Sequence, residues 1–322
     1  MYDIFQVPAP VKTFFNKLPL QTYGPVEKRD DALRYEYDAR NYAFEGSEAV
    51  KKSVNDTFKL GVYKVVQDPS TGCFLATDPW CLFTQLSLCK KNRLKLPRSG
   101  KSQETVGSKP VPTHSVLEVS PLASPERFLP ILVEGYTKRH VRSSAGINEI
   151  LMSRFGSADE LMYALLLDSV VYDCYMSKVL YKLSKKDFLD AYGGQTTSSV
   201  ANTLISQGQR SDLSRRNDFS LRHRELASQW RFSATSDTLE QLLNTIDETC
   251  LRTLTQFQDL LKISTTPYFL ENPEASFLDL KLASYVYCLL NLPSHQTSIT
   301  GSLRQELPVL IDHTQRVIAQ YL

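Results

Sequence analysis

The sequence has no C-x-x-C pair and no zinc-like spacing among its six cysteines, Cys73, Cys81, Cys89, Cys174, Cys250 and Cys288. This excludes a local redox couple and a finger-type metal site, and no metal or other cofactor is expected. The thiols read as reduced packing residues of a cytosol-facing protein. Neither sign of charge dominates, since 37 basic residues stand against 35 acidic ones. A general nucleic-acid binder would carry a clear basic excess, so no nucleic-acid partner is expected. Glycine-rich phosphate loops, H-E-x-x-H and G-x-S-x-G are also missing, and with them the nucleotide, zinc-protease and serine-hydrolase chemistries those motifs support.

Long apolar runs are missing as well. The most apolar long segment, residues 161–183, carries Asp168, Asp173, Lys178 and Lys182. A spanning helix needs roughly 20 residues with few or no charges, so this segment reads as a soluble core helix. Residues 1–15 lack a basic start followed by an unbroken apolar stretch, and no signal peptide is expected there. Any work at a membrane would then be peripheral.

What is present is ample material for a folded core. The chain has 322 residues, 42% of them apolar and 10% aromatic, enough for two domains. Residues 129–151, LPILVEGYTKRHVRSSAGINEIL, give the clearest local pattern. Pro130 opens a short apolar strand, Gly135 turns the chain, and a basic strand runs from Lys138 to Arg142. Ser143 and Ser144 then stand where a helix begins, with Ile147, Ile150 and Leu151 along one face. Upstream, KLGVYKVV over residues 59–66 reads as a strand. Thr77 or Asp78 can cap a following helix that has Pro79 at its first position. Leu94 to Pro97 reads as a short second strand.

This order of strands and helices resembles the thioredoxin-like half of glutathione-transferase-like chains. The expected fold is α/β plus all-α, a thioredoxin-like N-terminal half followed by a helical C-terminal domain. Residues 1–57 read as an N-terminal extension with a helix over 27–44. Residues 58–156 read as the thioredoxin-like domain, with 98–125, rich in Ser, Pro, Gly and Lys, as an irregular insertion. Residues 157–322 read as helical, with 193–214 as a flexible loop. Long amphipathic or apolar helices are expected over 235–261, 277–292 and 303–322.

Four positions correspond to a degenerate active site. Redox members of the superfamily carry C-P-x-C where this chain has Asp78-Pro79-Trp80-Cys81, and many transferases carry S-P-F-x. Asp78 can neither form a disulfide nor act as an activated thiol, and Cys81 has no resolving cysteine nearby. Glutathione-binding members place an acid and a serine where Ser143 and Ser144 stand. Without that acid the ligand's ammonium loses its charge partner, and helix capping, with Ser144 as a candidate cap, is the plainer role. Ser276 and Asp279 form a capping-box pattern ahead of an apolar helix, a structural device. Arg215, Arg216, Arg222 and Arg224 make a candidate partner-facing or lipid-facing basic patch, with a solvated helix face as the plain alternative. His223 within it is no metal site on its own.

Several longer segments carry a more specific resemblance: PVKTFFNKLPLQTY, KLGVYKV, LATDPWCLFTQLSLCKKN, LPILVEGYTKRHVRSS, LMYALLLDSVVYDCY, FSLRHRE and LKLASYVYCLLN. On these the chain resembles the metaxin family, in particular its smaller, fungal type of receptor subunit in the mitochondrial sorting and assembly machinery. The resemblance implies a transferase-like fold without transferase activity. It implies a peripheral place on the cytosolic face of the mitochondrial outer membrane. The implied partners are the β-barrel core subunit, a second metaxin-like subunit, and barrel precursors whose β-signals are recognised for insertion. A transferase-like enzyme and a transferase-like scaffold of a cytosolic assembly are the competing readings.

Overall fold

The computed structural model describes residues 32–98, 111–136, 141–194, 197–229, 236–292 and 298–322, with isolated positions near the N-terminus. Contacts divide the chain into Met1–Tyr37 and a second unit, Asp38–Leu322. Of the helix expected over 27–44, the described part is α1, Ala32–Ala39.

The second unit begins with a five-stranded sheet in the order β1-β5-β2-β6-β7. Its strands are β1 (Asn41–Ala43), β2 (Phe58–Val62), β5 (Ser115–Glu118), β6 (Ile131–Glu134) and β7 (Val141–Arg142). A separate hairpin pairs β3 (Val65–Gln67) with β4 (Phe74–Ala76). Strand β2 lies parallel to β5 and antiparallel to β6, and β6 is antiparallel to β7. Helix α2 (Pro79–Asn92) makes the crossover between the parallel pair, and α3 (Ser144–Met152) follows β7. That is the thioredoxin-like arrangement. The Leu129–Pro130 peptide bond ahead of β6 is cis. After β6, Gly135 is needed for close approach, because a Cβ there would meet the Val54 carbonyl oxygen at 2.9 Å.

Three expectations about organisation need correction. Residues 41–57 are no appendage: β1 pairs with β5, and Phe44 and Ala49 are buried. The second parallel strand is β5, inside the stretch read as an irregular insertion, whereas residues 94–97 contribute only an isolated bridge from Lys95 to Glu45. Four residues sufficed for β5 because it is paired on both sides, which satisfies its backbone whatever its composition. Residues 193–214, read as a loop, are mostly helix α7 (Ser199–Arg215), capped by Ser198. It is held from outside: Arg210 donates to the carbonyls of Val179, Leu180 and Leu183 and stacks 4.4 Å over the Phe188 ring.

The remainder is helical. Helices α4 (Ala158–Leu166) and α5 (Tyr172–Tyr181) are joined by a π-helical segment, Leu167–Val171. There follow α6 (Lys185–Tyr192), α7, α8 (Phe219–Arg222), α9 (Arg224–Gln229), α10 (Ser236–Ile263), α11 (Phe277–Leu290), α12 (Ser298–Glu306) and α13 (Pro308–Ala319). The packing centre is α11. Eleven of its residues, Leu278 to Val286 with Cys288 and Leu289, are buried, including the charged Asp279 and Lys281. It packs against α2 and α13, so one helix ties the sheet half to the C-terminal end. No helix among the described residues is long and apolar enough to cross a membrane.

Candidate functional site

Helix α2 starts at Asp78, whose Oδ1 accepts from the backbone N–H groups of Trp80 and Cys81 at 3.1 and 3.2 Å. Extended backbone at Asp78 and proline next in sequence make this start, and they place a carboxylate at the positive end of the helix. The carboxylate faces inward and is only 1% exposed. A buried anion needs a partner, and here it is Arg216, 138 residues later, itself 0% exposed. The guanidinium donates from Nη1 to Asp78 Oδ2 at 2.9 Å and from Nη2 to Oδ1 at 2.7 Å, a two-pronged pair.

Aromatic rings wall the pair in. Arg216 lies 4.5 Å over the Trp80 ring and 5.5 Å over that of Tyr172. Tyr192 donates to Asp78 Oδ2 at 3.4 Å, and its hydroxyl lies 3.0 Å from that of Tyr175, which bonds the Thr77 carbonyl. Burial is the largest influence and opposes the charge on Arg216, but the Asp78 carboxylate together with Tyr172 and Tyr63 lifts the pKa well above the ordinary arginine value. The backbone that delivers Arg216 is unusual. Asn217 and Asp218 both adopt left-handed φ of 55°, a conformation these residue types tolerate better than most. Asn217 Nδ2 then bonds the Asp168 carbonyl oxygen in the π-helical segment at 2.8 Å.

The carboxylate at the start of α2 is therefore neutralised by the chain's own arginine. Cys81, one turn further in, is no activated thiol: burial first, and then the Asp78 carboxylate, push its pKa well above the ordinary value. All six cysteines are buried and unpaired. Ser143, rather than Ser144, caps α3, accepting from the Gly146 N–H at 3.4 Å. Ser144 is the first helical residue, 1% exposed, and its Oγ has no partner among the described residues. Trp80, Ser144, Lys281 and Tyr285 border a cavity of only about 10 Å³. A water needs roughly 10–15 Å³, so the cavity has room for about one.

The basic patch divides when its residues are located. Arg216 is no partner-facing residue, because its pairing with Asp78 takes it fully into the interior. Arg215 is exposed and pairs with Asp212 one turn earlier. Arg222 donates from Nε and Nη2 to both oxygens of buried Asp173, and His223 Nε2 meets the same carboxylate at 2.8 Å. Arg224 is exposed. Arg222, His223 and Arg224 border a cleft of about 400 Å³ whose floor includes Leu226, Leu242 and Ile246. Ser276 and Asp279 form the full capping box of α11, and Asp279 also accepts from the Phe269 N–H.

Sequence reasoning missed the buried charges that pair across elements. Lys281 meets Asp168 at 2.5 Å, with Tyr285 donating to the same carboxylate. Lys178 meets Asp247 within the helical half at 2.5 Å. The only early signal was charge inside apolar stretches, as at Asp168, Lys178 and Lys281.

A transferase-like fold with a buried ion pair at the start of its first long helix defines the class of protein. Comparison with known proteins narrows it. A family model described as SAM35, subunit of the SAM complex, matches residues 5–134. The sorting assembly machinery 35 kDa subunit of Saccharomyces cerevisiae is 39% identical over 310 residues, covering 91% of each chain. The chain belongs to the SAM35 family. Among solved structures, the β-etherase LigF of Sphingobium sp. strain SYK-6 is 11% identical, with a TM-score of 0.46, over 82% of this chain and 98% of its own.

Proposed function

We propose that the chain is a peripheral, non-enzymatic subunit of the sorting and assembly machinery in the mitochondrial outer membrane. On its cytosolic face it would cap the β-barrel core subunit beside a second metaxin-like subunit, and help recognise the β-signal of barrel precursors. The observation that carries this reading is the near full-length 39% identity to the yeast 35 kDa subunit. The buried Asp78–Arg216 pair supports a binding role, because Asp78 stands where the resemblance places a transferase's catalytic hydroxyl or thiol.

The physical task suits a soluble cap. A barrel precursor strand has backbone N–H and C=O groups that cannot enter lipid unpaired. It must add to an open strand edge, and replacement of pairing partners with apolar burial can drive that step without a nucleotide. A rigid protein beside the seam holds the strand's start or the receptive barrel. Arg215, Arg222 and Arg224 remain candidates for a partner-facing or lipid-facing patch.

Site-specific photo-crosslinking of a stalled barrel precursor in mitochondria tests the reading. Adducts between the β-signal and this chain, weakened when the signal's glycine or apolar positions are changed, are expected. Precursor adducts confined to the other subunits would place recognition elsewhere. Retention on glutathione resin with competitive elution by glutathione would favour the enzyme reading instead.

A further inference from the structure

Away from the Asp78–Arg216 pair, a second cavity of about 90 Å³ lies between the C-terminal half of α2 and helix α3, over β6 and β7. Its walls include Leu88, Ile147, Ile150 and Phe277, an apolar lining from three helices. Three cations border it, Lys91, Arg142 and Arg154, against one carboxylate, Glu134. Arg142 meets that carboxylate at 2.9 Å, which leaves two positive charges unmatched. Lys91 and Arg154 are exposed, and neither has an ion-pair partner among the described residues.

A further observation points to a ligand. Ser87, 2% exposed, borders the cavity, and its Oγ has no hydrogen-bond partner among the described residues. A helical serine ordinarily satisfies its hydroxyl on the carbonyl four residues back, so an idle buried hydroxyl beside a cavity is a group in want of a partner. The cavity is several waters in size yet far below the roughly 300 Å³ of small-molecule sites. It suits one side chain, not a cofactor or an acyl chain.

We propose that this cation-rimmed pocket between α2 and α3 is a docking site for an acidic segment of a partner protein. The segment inserts one side chain whose apolar body lies against Ile147, Ile150 and Phe277 and whose polar end meets the Ser87 hydroxyl, while flanking carboxylates meet Lys91 and Arg154. The Arg142–Glu134 pair closes the far rim. Charge complementarity selects the partner and the apolar anchor fixes its register. The proposal does not rest on β-signal recognition.

The test uses the full-length chain in its own cells, with a photoreactive amino acid in place of Ile150 and the adduct mapped by mass spectrometry. The expected adduct lies on a protein segment whose crosslinked residue has Asp or Glu neighbours. Its yield should fall about tenfold in Lys91→Glu/Arg154→Glu and recover when the partner's acids become lysines. Both side chains are exposed, so melting should be unchanged; if it is not, Lys91→Gln/Arg154→Gln carries the test with a smaller loss. An adduct on phospholipid would mean a membrane contact and overturn the proposal. So would an adduct on a second copy of this chain or on a segment without acids, no adduct, or a yield indifferent to charge reversal.

Discussion

Asp78 and Arg216 show how a single residue can be legible and its role hidden. That Thr77 or Asp78 caps a helix follows from T-D-P in sequence, the structure assigns the cap to Asp78, and that Asp78 is no thiol follows from its identity. That it is neutralised by Arg216 depends on a contact across 138 residues, which no local pattern carries. The arginine therefore looked like surface charge. The energetic consequence is asymmetric. Removing one partner of a buried pair leaves the other charge stranded, so Arg216→Met should destabilise the chain by about 3–5 kcal/mol. Asp78→Leu combined with Arg216→Met should regain much of that loss, measured by chemical denaturation. A single Arg216→Met with wild-type stability would show that the pair does not seal the interior.

Histidines carry a second residue-scale prediction. His114, 4% exposed, accepts the Phe58 N–H at its Nδ1 at 3.0 Å, and burial lowers its pKa to about 4. A ring that accepts there must be neutral at that nitrogen. The unfolded chain takes up its proton near pH 6.5, the folded one only near 4, so stability is full above pH 6.5 and falls as pH drops toward 4. His313, lowered to about 4 by burial, acts in the same direction, whereas Asp279, raised to about 6 by burial, acts oppositely. His114→Asn keeps an acceptor and removes the titration. Its melting temperature should drop less than that of the wild type between pH 6.5 and 4.5. Parallel pH profiles for the two proteins would contradict this assignment.

At the scale of elements, the strands and helices with periodic apolar residues were readable, and those held by partners were not. The β6–β7 hairpin and α3 follow from residues 129–151, although residues 138–140 of the expected basic strand lie outside the described structure. Strand β5 was missed because a four-residue segment in Ser- and Pro-rich surroundings has no period to detect. Helix α7 was missed because its Ser, Gln, Gly and Thr content is that of a loop, and only Ser206 and Leu213 are buried along it. Its fixing contact is Arg210, which also satisfies terminal carbonyls of α5. Arg210→Ala should therefore destabilise by roughly 1–3 kcal/mol through unsatisfied carbonyls. Arg210→Lys, lacking the planar fork, should recover only part of it. Within α11, Leu280→Ala or Leu282→Ala at fully buried positions should lose roughly 2–5 kcal/mol. Loss of the whole protein in cells should accompany either, and wild-type melting would show that α11 is not core.

For the molecule as a whole, the transferase-like frame carries an internal arginine and a tyrosine shell at the start of α2. Its surface offers a cleft beside Arg222 and a cation-rimmed pocket beside Lys91. The proposed output is binding. The most direct measurement is the assembly rate of radiolabelled β-barrel precursors in mitochondria depleted of this chain, followed by native electrophoresis. The account predicts that barrel assembly fails early while matrix import continues, and that re-expressing the chain restores it. Barrel precursors assembling at normal rates after complete depletion would contradict it.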